Sequence, residues 1–311
     1  MPERNVHDLL LRHSVYLTGL KRNAGIQFAR VALELDADIN RLFARVAVKN
    51  LGEMTKREFD AFVARLRKDM ITTYDRHLTR FVIASKKFAS VDIAIHRKLF
   101  ETAIGRRRGR APTIGQVWGK TTANVNAATG MKYINAARSA KASSLGLIER
   151  AVRTGYAQKI ATVDVLRNIV GNKSKSFEGG ALRRVAAWGN TFATSTWSHV
   201  NSYANHETAK EYYEQYQWIS VMDEGTTEIC EDLNEQTFPY GDGPVPPAHY
   251  GCRSDIIPFT DDAPPTSFVD WLDQQPSEFL NDAFKKGNRE LDNVKIITLD
   301  QFGEKLEFIL I

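Results

Sequence analysis

The chain has 311 residues, of which 43% are hydrophobic and 25% charged, enough for one large globular domain or two smaller ones. It holds no apolar run of about 18 residues, its start MPERNVHDLL shows no charged-then-apolar leader, and it has only two cysteines, Cys230 and Cys252. A membrane-spanning chain and a secreted disulfide scaffold are therefore not expected, and a cytosolic origin fits best. The net charge of +5 hides an asymmetry: residues 1–180 carry 33 Lys and Arg against 15 Asp and Glu, whereas residues 181–311 carry 9 against 22. The split points to two regions with different partners: a basic 1–175, mostly helical, and an acidic 176–311. A basic half suits nucleic acid or an acidic protein surface, and a solvated helical surface is the plain alternative.

In chain order, the first signal is the three-and-four rhythm of Ile26, Val31, Leu35, Ile39, Leu42, Phe43 and Val46, which places them on one helical face. Thr55 then stands three residues before Glu58, the capping-box spacing that starts a helix. Phe59, Phe62, Leu66, Met70, Tyr74, Leu78 and Phe81 follow at helical spacing, as a packing face rather than a cofactor box. The run GRRRGRAP interrupts the helical pattern. Its Arg106, Arg107, Arg108 and Arg110 form a basic loop whose guanidinium forks suit phosphate, or an acidic neighbour. Helical pattern resumes over 113–170, GNKSKSFEGG (171–180) reads as a linker or mobile loop, and a further helix is expected from Ala181 to Tyr216.

Beyond this point the texture changes. QWISVMD (217–223), TFPY (237–240) and RSDIIPF (253–259) are short strand candidates, separated by the irregular stretch GDGPVPPAH. The expected class is α+β: a long helical N-terminal half, then a small mixed C-terminal domain with short strands and irregular loops. Tyr212, Tyr213, Tyr216 and Trp218 could stack on bases, but Glu207, Glu211 and Glu214 crowd the same segment, so packing is the better reading. His206, alone on its helix, reads as a packing residue before a ligand. There is no phosphate-binding Walker loop, dinucleotide fingerprint or His-Glu-x-x-His.

Both cysteines fall in residues 218–259, with His249 between them and three residues before Cys252. Thiolates and an imidazole on short loops are zinc ligands, and Asp223 is the candidate fourth; a metal would close loops that have little core of their own. A Cys230–Cys252 disulfide and a packed, reduced pair are the alternatives. Catalysis by a Cys–His pair is disfavoured, because no oxyanion donor or orienting third group accompanies it. Arg253 could lock the loop through Asp223 or Asp255, and Pro244 to Pro247 stiffen it.

The order Trp218, Asp223, Thr226, Thr227, Cys230, Leu233, Phe238, Pro246, Pro247, His249, Cys252, Arg253, Ser254, Pro258 resembles the C-terminal signature of the phage Mu F-like minor head proteins. The helix TFATSTWSHVNSYANHETAKEYYE before it is similar to the polar helix of that family. Trp271, Leu272, Gln275 and Pro276 behind it are similar to the Trp-Leu, Gln-Pro segment that follows there. The likeness covers roughly residues 145–303. Two departures stand out. Asn234-Glu235 occupies a turn where glycine is common, and Asn tolerates the left-handed conformation; Ser254 stands where many relatives carry a third cysteine.

The resemblance implies a minor capsid protein rather than an enzyme: a few copies bound to the portal protein inside the phage head, acting in procapsid assembly and in DNA packaging or ejection. Scaffold or major capsid protein and packaged double-stranded DNA are the further partners it suggests. The location it implies is the virion, after host cytoplasm during assembly. From charge alone, the basic half would lie against DNA and the acidic half against the portal. The alternative is a metal-dependent nuclease or DNA-binding protein using Cys230, His249 and Cys252.

Overall fold

A computed structural model of the chain describes residues 6–105, 109–123, 131–260 and 268–275. The fold is α+β, dominated by helices, with one small antiparallel sheet towards the C-terminus. Helices α1 (Val6–Ala29) and α2 (Val31–Phe43) are separated at Arg30. The apolar rhythm from Ile26 to Val46 therefore crosses a break. Helix α2 buries Val31, Leu35, Ile39 and Phe43, whereas Ile26 belongs to α1 and stays 39% exposed.

Helix α3 (Lys56–Ile104) starts as its sequence predicts. The Thr55 backbone N–H donates to the Glu58 carboxylate at 2.8 Å, and the Glu58 N–H donates to Thr55 Oγ1 at 3.3 Å. The helix stops at Gly105, whose φ of +72° costs a residue without Cβ little. Helices α4 (Ile114–Ala123), α5 (Tyr133–Ala157), α6 (Thr162–Val170) and α7 (Ala181–Ala209) complete the helical part. The helix expected to reach Tyr216 thus ends at Ala209, and Tyr216 belongs to the first strand.

The segment 171–180, expected as a linker, is instead a packed loop. Phe177 is 5% exposed and lies in the core with Ile169, Leu182 and Val185. The Asn172 N–H donates to the Glu178 carbonyl at 2.9 Å, closing the loop at its base. Gly171 (φ +67°) and Gly180 pass so close that a Cβ on either would come within 2.5 Å of the other's backbone. Polar composition concealed this, because one phenylalanine and two glycines do the anchoring.

The chain forms two compact units that interleave in sequence. One comprises 1–23, 83–133 and 194–311, the other 24–82 and 134–193. The charge boundary near 175 falls inside the second unit. That unit is purely helical in its regular elements, packed on Leu35, Ile39, Phe62, Leu66, Met70 and Ile148. The Phe59 ring stacks on Tyr156 with centroids 3.8 Å apart.

The first unit holds the sheet, built from β1 (Gln215–Ile219), β2 (Thr237–Pro239) and β3 (Asp255–Pro258), with α8 (Glu228–Leu233) between β1 and β2. The order is β2-β1-β3, both pairings antiparallel, with Tyr216 opposite Phe238 and Trp218 opposite Ile256. The central strand buries Tyr216, Gln217, Trp218 and Ile219. Buried Gln217 is accommodated because its amide donates to the Glu235 carbonyl at 3.0 Å.

Side chains tie this sheet into its own unit. His7 of α1 bonds the Pro258 carbonyl at 2.8 Å, and Asn205 of α7 donates to the Ile256 carbonyl at 2.8 Å. The short helix α9 (Phe268–Asp273) sets Trp271 Nε1 3.3 Å from Asp8, while Arg12 donates to Gln275 at 3.0 Å. Pro276 lies outside the described residues. No described helix is long and apolar enough to cross a membrane.

Candidate metal centre

Helix α8 and the loop that ends in Cys252 converge on one point. Helix α8 turns a single buried residue inward, Cys230. The Pro246-Pro247 peptide, which is cis, leads into buried Ala248 and then His249. From there a tight turn, in which the Cys252 N–H donates to the His249 carbonyl at 3.2 Å, brings in Cys252. Gly251 sits in that turn at φ +79°. One ligand atom from each of Cys230, His249 and Cys252 lies within 4.8 Å of the others.

The geometry is that of a ligand set. The sulfurs stand 3.6 Å apart, and His249 Nε2 is 3.2 Å from Cys230 Sγ. Two thiolates bound to one zinc at about 2.3 Å would stand roughly 3.8 Å apart in a tetrahedron, whereas a disulfide needs about 2.05 Å. Both cysteines are free thiols. His249 Nδ1 lies 3.0 Å from the Tyr250 carbonyl. A carbonyl only accepts, so Nδ1 carries the proton and Nε2 presents its lone pair to the sulfur. Orientation of a ligating imidazole by a backbone carbonyl is the usual arrangement around zinc.

The hydrogen bond between the two thiols lowers Cys252 and, together with burial, raises Cys230. The form a metal takes is the thiolate. Hydroxyls border the cluster: Thr227 Oγ1 is 2.9 Å from His249 Nε2, and Ser254 hydrogen-bonds to both cysteines. Thr227 precedes α8 as its cap residue, yet its side chain makes no capping bond.

Asp223, the expected fourth ligand, does not join the cluster. Both of its oxygens are taken by Arg253, at 2.6 and 2.5 Å. Asp223 also accepts the Gly225 N–H at 2.9 Å, which folds residues 223–226 into a turn. The Arg253 hydrogen bond is the largest cause that holds the Asp223 carboxyl down at about 2. Of the two acidic partners expected for Arg253, Asp223 is the one it holds; Asp255 instead hydrogen-bonds Ser14.

Ser220, which the sequence did not single out, and Asn234, noted there only for its turn, hold the cluster in place. Ser220, fully buried, accepts the Trp218 indole N–H at 3.0 Å and donates to the Cys230 carbonyl at 2.8 Å. Asn234 accepts the Ser220 N–H through its side chain at 2.8 Å. The left-handed residue of that turn is Glu235 (φ +66°), not Asn234. Ser220 was findable in principle: it stands two positions after Trp218, just past the end of β1, and a buried indole needs an acceptor.

The other candidates separate. Tyr212, Tyr216 and Trp218 are buried, so they pack rather than stack on bases. His206 is also buried, 3.0 Å from Glu207 and edge-on to Tyr216 and Tyr240, away from the cysteines' ligand set. Glu207 is buried too and receives Lys120 and Lys210. Arg110 is exposed, beside a shallow pocket shared with Lys210, Glu207 and Glu211. Arg106, Arg107 and Arg108 lie outside the described residues.

Fold and site together define a helical α+β protein with a small sheet module pinned around a Cys–His–Cys cluster. No known family model, characterised protein or solved structure matches the chain.

Proposed function

We propose that this chain is a phage minor head protein of the Mu F-like kind, bound at the portal vertex and acting in procapsid assembly, with its sheet module closed by a structural zinc ion. One observation carries the reading. Residues spread over 218–275, legible as an ordered signature, are also those that build the module: Trp218 in its core, Cys230, His249 and Cys252 at one point, Asp223 on Arg253, Trp271 and Gln275 against α1. A signature whose members are joined in space is a structural unit, as expected of an assembly module.

Zinc here would supply ligand bonds between α8 and the loop of His249 and Cys252, while Thr227 and Ser254 steady the donors. The exposed acidic surface of the module, with Glu224, Glu228, Glu231 and Asp232, suits a basic partner surface. In this proposal that partner is the portal, with scaffold or major capsid protein as further contacts. The basic 1–175 region faces packaged DNA.

The nuclease alternative needs an open metal position and a general base. Asp223, the carboxylate expected beside those residues, is occupied on both oxygens by Arg253. The test is capture of the chain from infected cells on tagged portal protein. Specific recovery, lost on reversal of the module's acidic residues to lysine, is the expected result. No recovery, together with metal-dependent DNA cleavage that disappears in His249→Ala, would overturn it.

A further inference from the structure

A second cluster of side chains that could hold a metal lies buried among the helices of the first unit. His13 of α1 and Asp92 and His96 of α3 are 1%, 0% and 1% exposed. A nitrogen from each imidazole and a carboxylate oxygen lie within 4.8 Å of one another. Asp92 and His96 are one helical turn apart, so both project from the same face of α3. His13 enters from α1, its Nε2 2.8 Å from Asp92 Oδ1.

Hydrogen bonding does not account for this group. A carboxylate oxygen accepts, so His13 Nε2 bears the proton and Nδ1 is left as a bare lone pair. His13 Nδ1 and Asp92 Oδ2 are both buried without a hydrogen-bond partner. His96 donates from Nδ1 to the Asp92 carbonyl at 2.9 Å, which leaves its Nε2 as a lone pair. Unpaired polar atoms in a sealed core each cost about 1–3 kcal/mol, so a group of them calls for an explanation.

Two imidazoles and a carboxylate are the donor set of two-histidine, one-carboxylate metal centres.

We propose that His13, Asp92 and His96 bind a divalent transition-metal ion, with zinc the ion of choice, at a site buried between α1 and α3 and independent of the Cys230–His249–Cys252 cluster. The ion would replace the proton on the His13 nitrogen that faces Asp92, with that proton released, and would give Asp92 Oδ2 the partner it lacks, fastening α1 to the second half of α3. The proposal stands or falls apart from the phage reading, because it uses none of the signature residues.

The experiment is metal analysis of the full chain, as purified from zinc-supplemented and from cobalt-supplemented medium. It is done in wild type and in a Cys230→Ser/Cys252→Ser variant, which removes every thiolate. The cysteine-free chain is expected to retain one metal ion per molecule. With cobalt it should show visible ligand-field bands without the near-ultraviolet thiolate charge-transfer band. Adding His96→Gln or Asp92→Asn should cut bound metal at least tenfold. If either core variant fails to fold, the cobalt spectrum of the cysteine-free chain decides alone. A folded cysteine-free chain holding less than a tenth of an ion per molecule from both media would overturn the proposal.

Discussion

Arg253 closes its two terminal guanidinium nitrogens on the two carboxylate oxygens of Asp223, at 2.6 and 2.5 Å. This fork joins the turn that precedes α8 to the residue that follows Cys252. It makes Asp223 a clamp beside the Cys230–His249–Cys252 cluster and not a member of it. Asp223→Asn should therefore leave zinc stoichiometry at the wild-type value while loosening the loop. Loss of the metal in that variant, read by elemental analysis, would return Asp223 to the ligand set.

The same pair sets a pH dependence. The folded carboxyl is held at about 2 by Arg253, below the roughly 3.9 of an unfolded Asp. The stabilisation is fully present above the unfolded value and is lost as pH falls through about 2. The difference in melting temperature between wild type and Asp223→Asn should shrink steadily from pH 5 to pH 2, as followed by circular dichroism. A difference that grows with acid would contradict the pairing.

Cys230→Ser, Cys252→Ser and His249→Ala should each lower zinc bound at the sheet module by about tenfold or more. Chelation should lower the melting temperature of wild type, and of these variants by less. Cobalt in the wild type should give the thiolate charge-transfer band that the cysteine-free chain lacks. Equal chelator sensitivity in wild type and in all three variants would show that the cluster holds no metal.

Phe177→Ala tests the packed loop 171–180. Phe177 is 5% exposed among Ile169, Leu182 and Val185, and truncating a core phenylalanine costs about 3–5 kcal/mol. Denaturant unfolding should show that loss with little change in slope. A cost under about 1 kcal/mol would mean that the loop is the linker its composition suggests.

How far the sequence could be read follows from which signals are local. The Thr55–Glu58 box and the strands at Phe238 and Ile256 depend on neighbours along the chain and formed within their expected stretches, whereas the strand at Trp218, expected over 217–223, runs from Gln215 to Ile219. Cys230, His249 and Cys252 were likewise visible as residue types. The role of Asp223 was not, because either a metal or Arg253 could claim its oxygens, and only distance decides. Phe177 was hidden in a polar, glycine-bounded run. The His13–Asp92–His96 cluster was also missed: its members lie on two helices 79 residues apart, and each alone reads as an ordinary helical residue.

The basic 1–175 region gives a prediction about DNA. The full chain should bind double-stranded DNA with an affinity that falls steeply as salt rises. Replacing Arg106, Arg107, Arg108 and Arg110 by glutamine should flatten that dependence, by about one unit of slope for each phosphate no longer neutralised. The full chain is needed, since a cut at 175 would divide both compact units. Binding that ignores both salt and these arginines would remove DNA from the partners of this chain.

Quantitative mass spectrometry of purified virions tests whether this chain is a part of a phage head. The protein is expected in mature particles at a few copies, in fixed ratio to the portal and far below the major capsid protein. Absence from particles that contain the portal in full would contradict it.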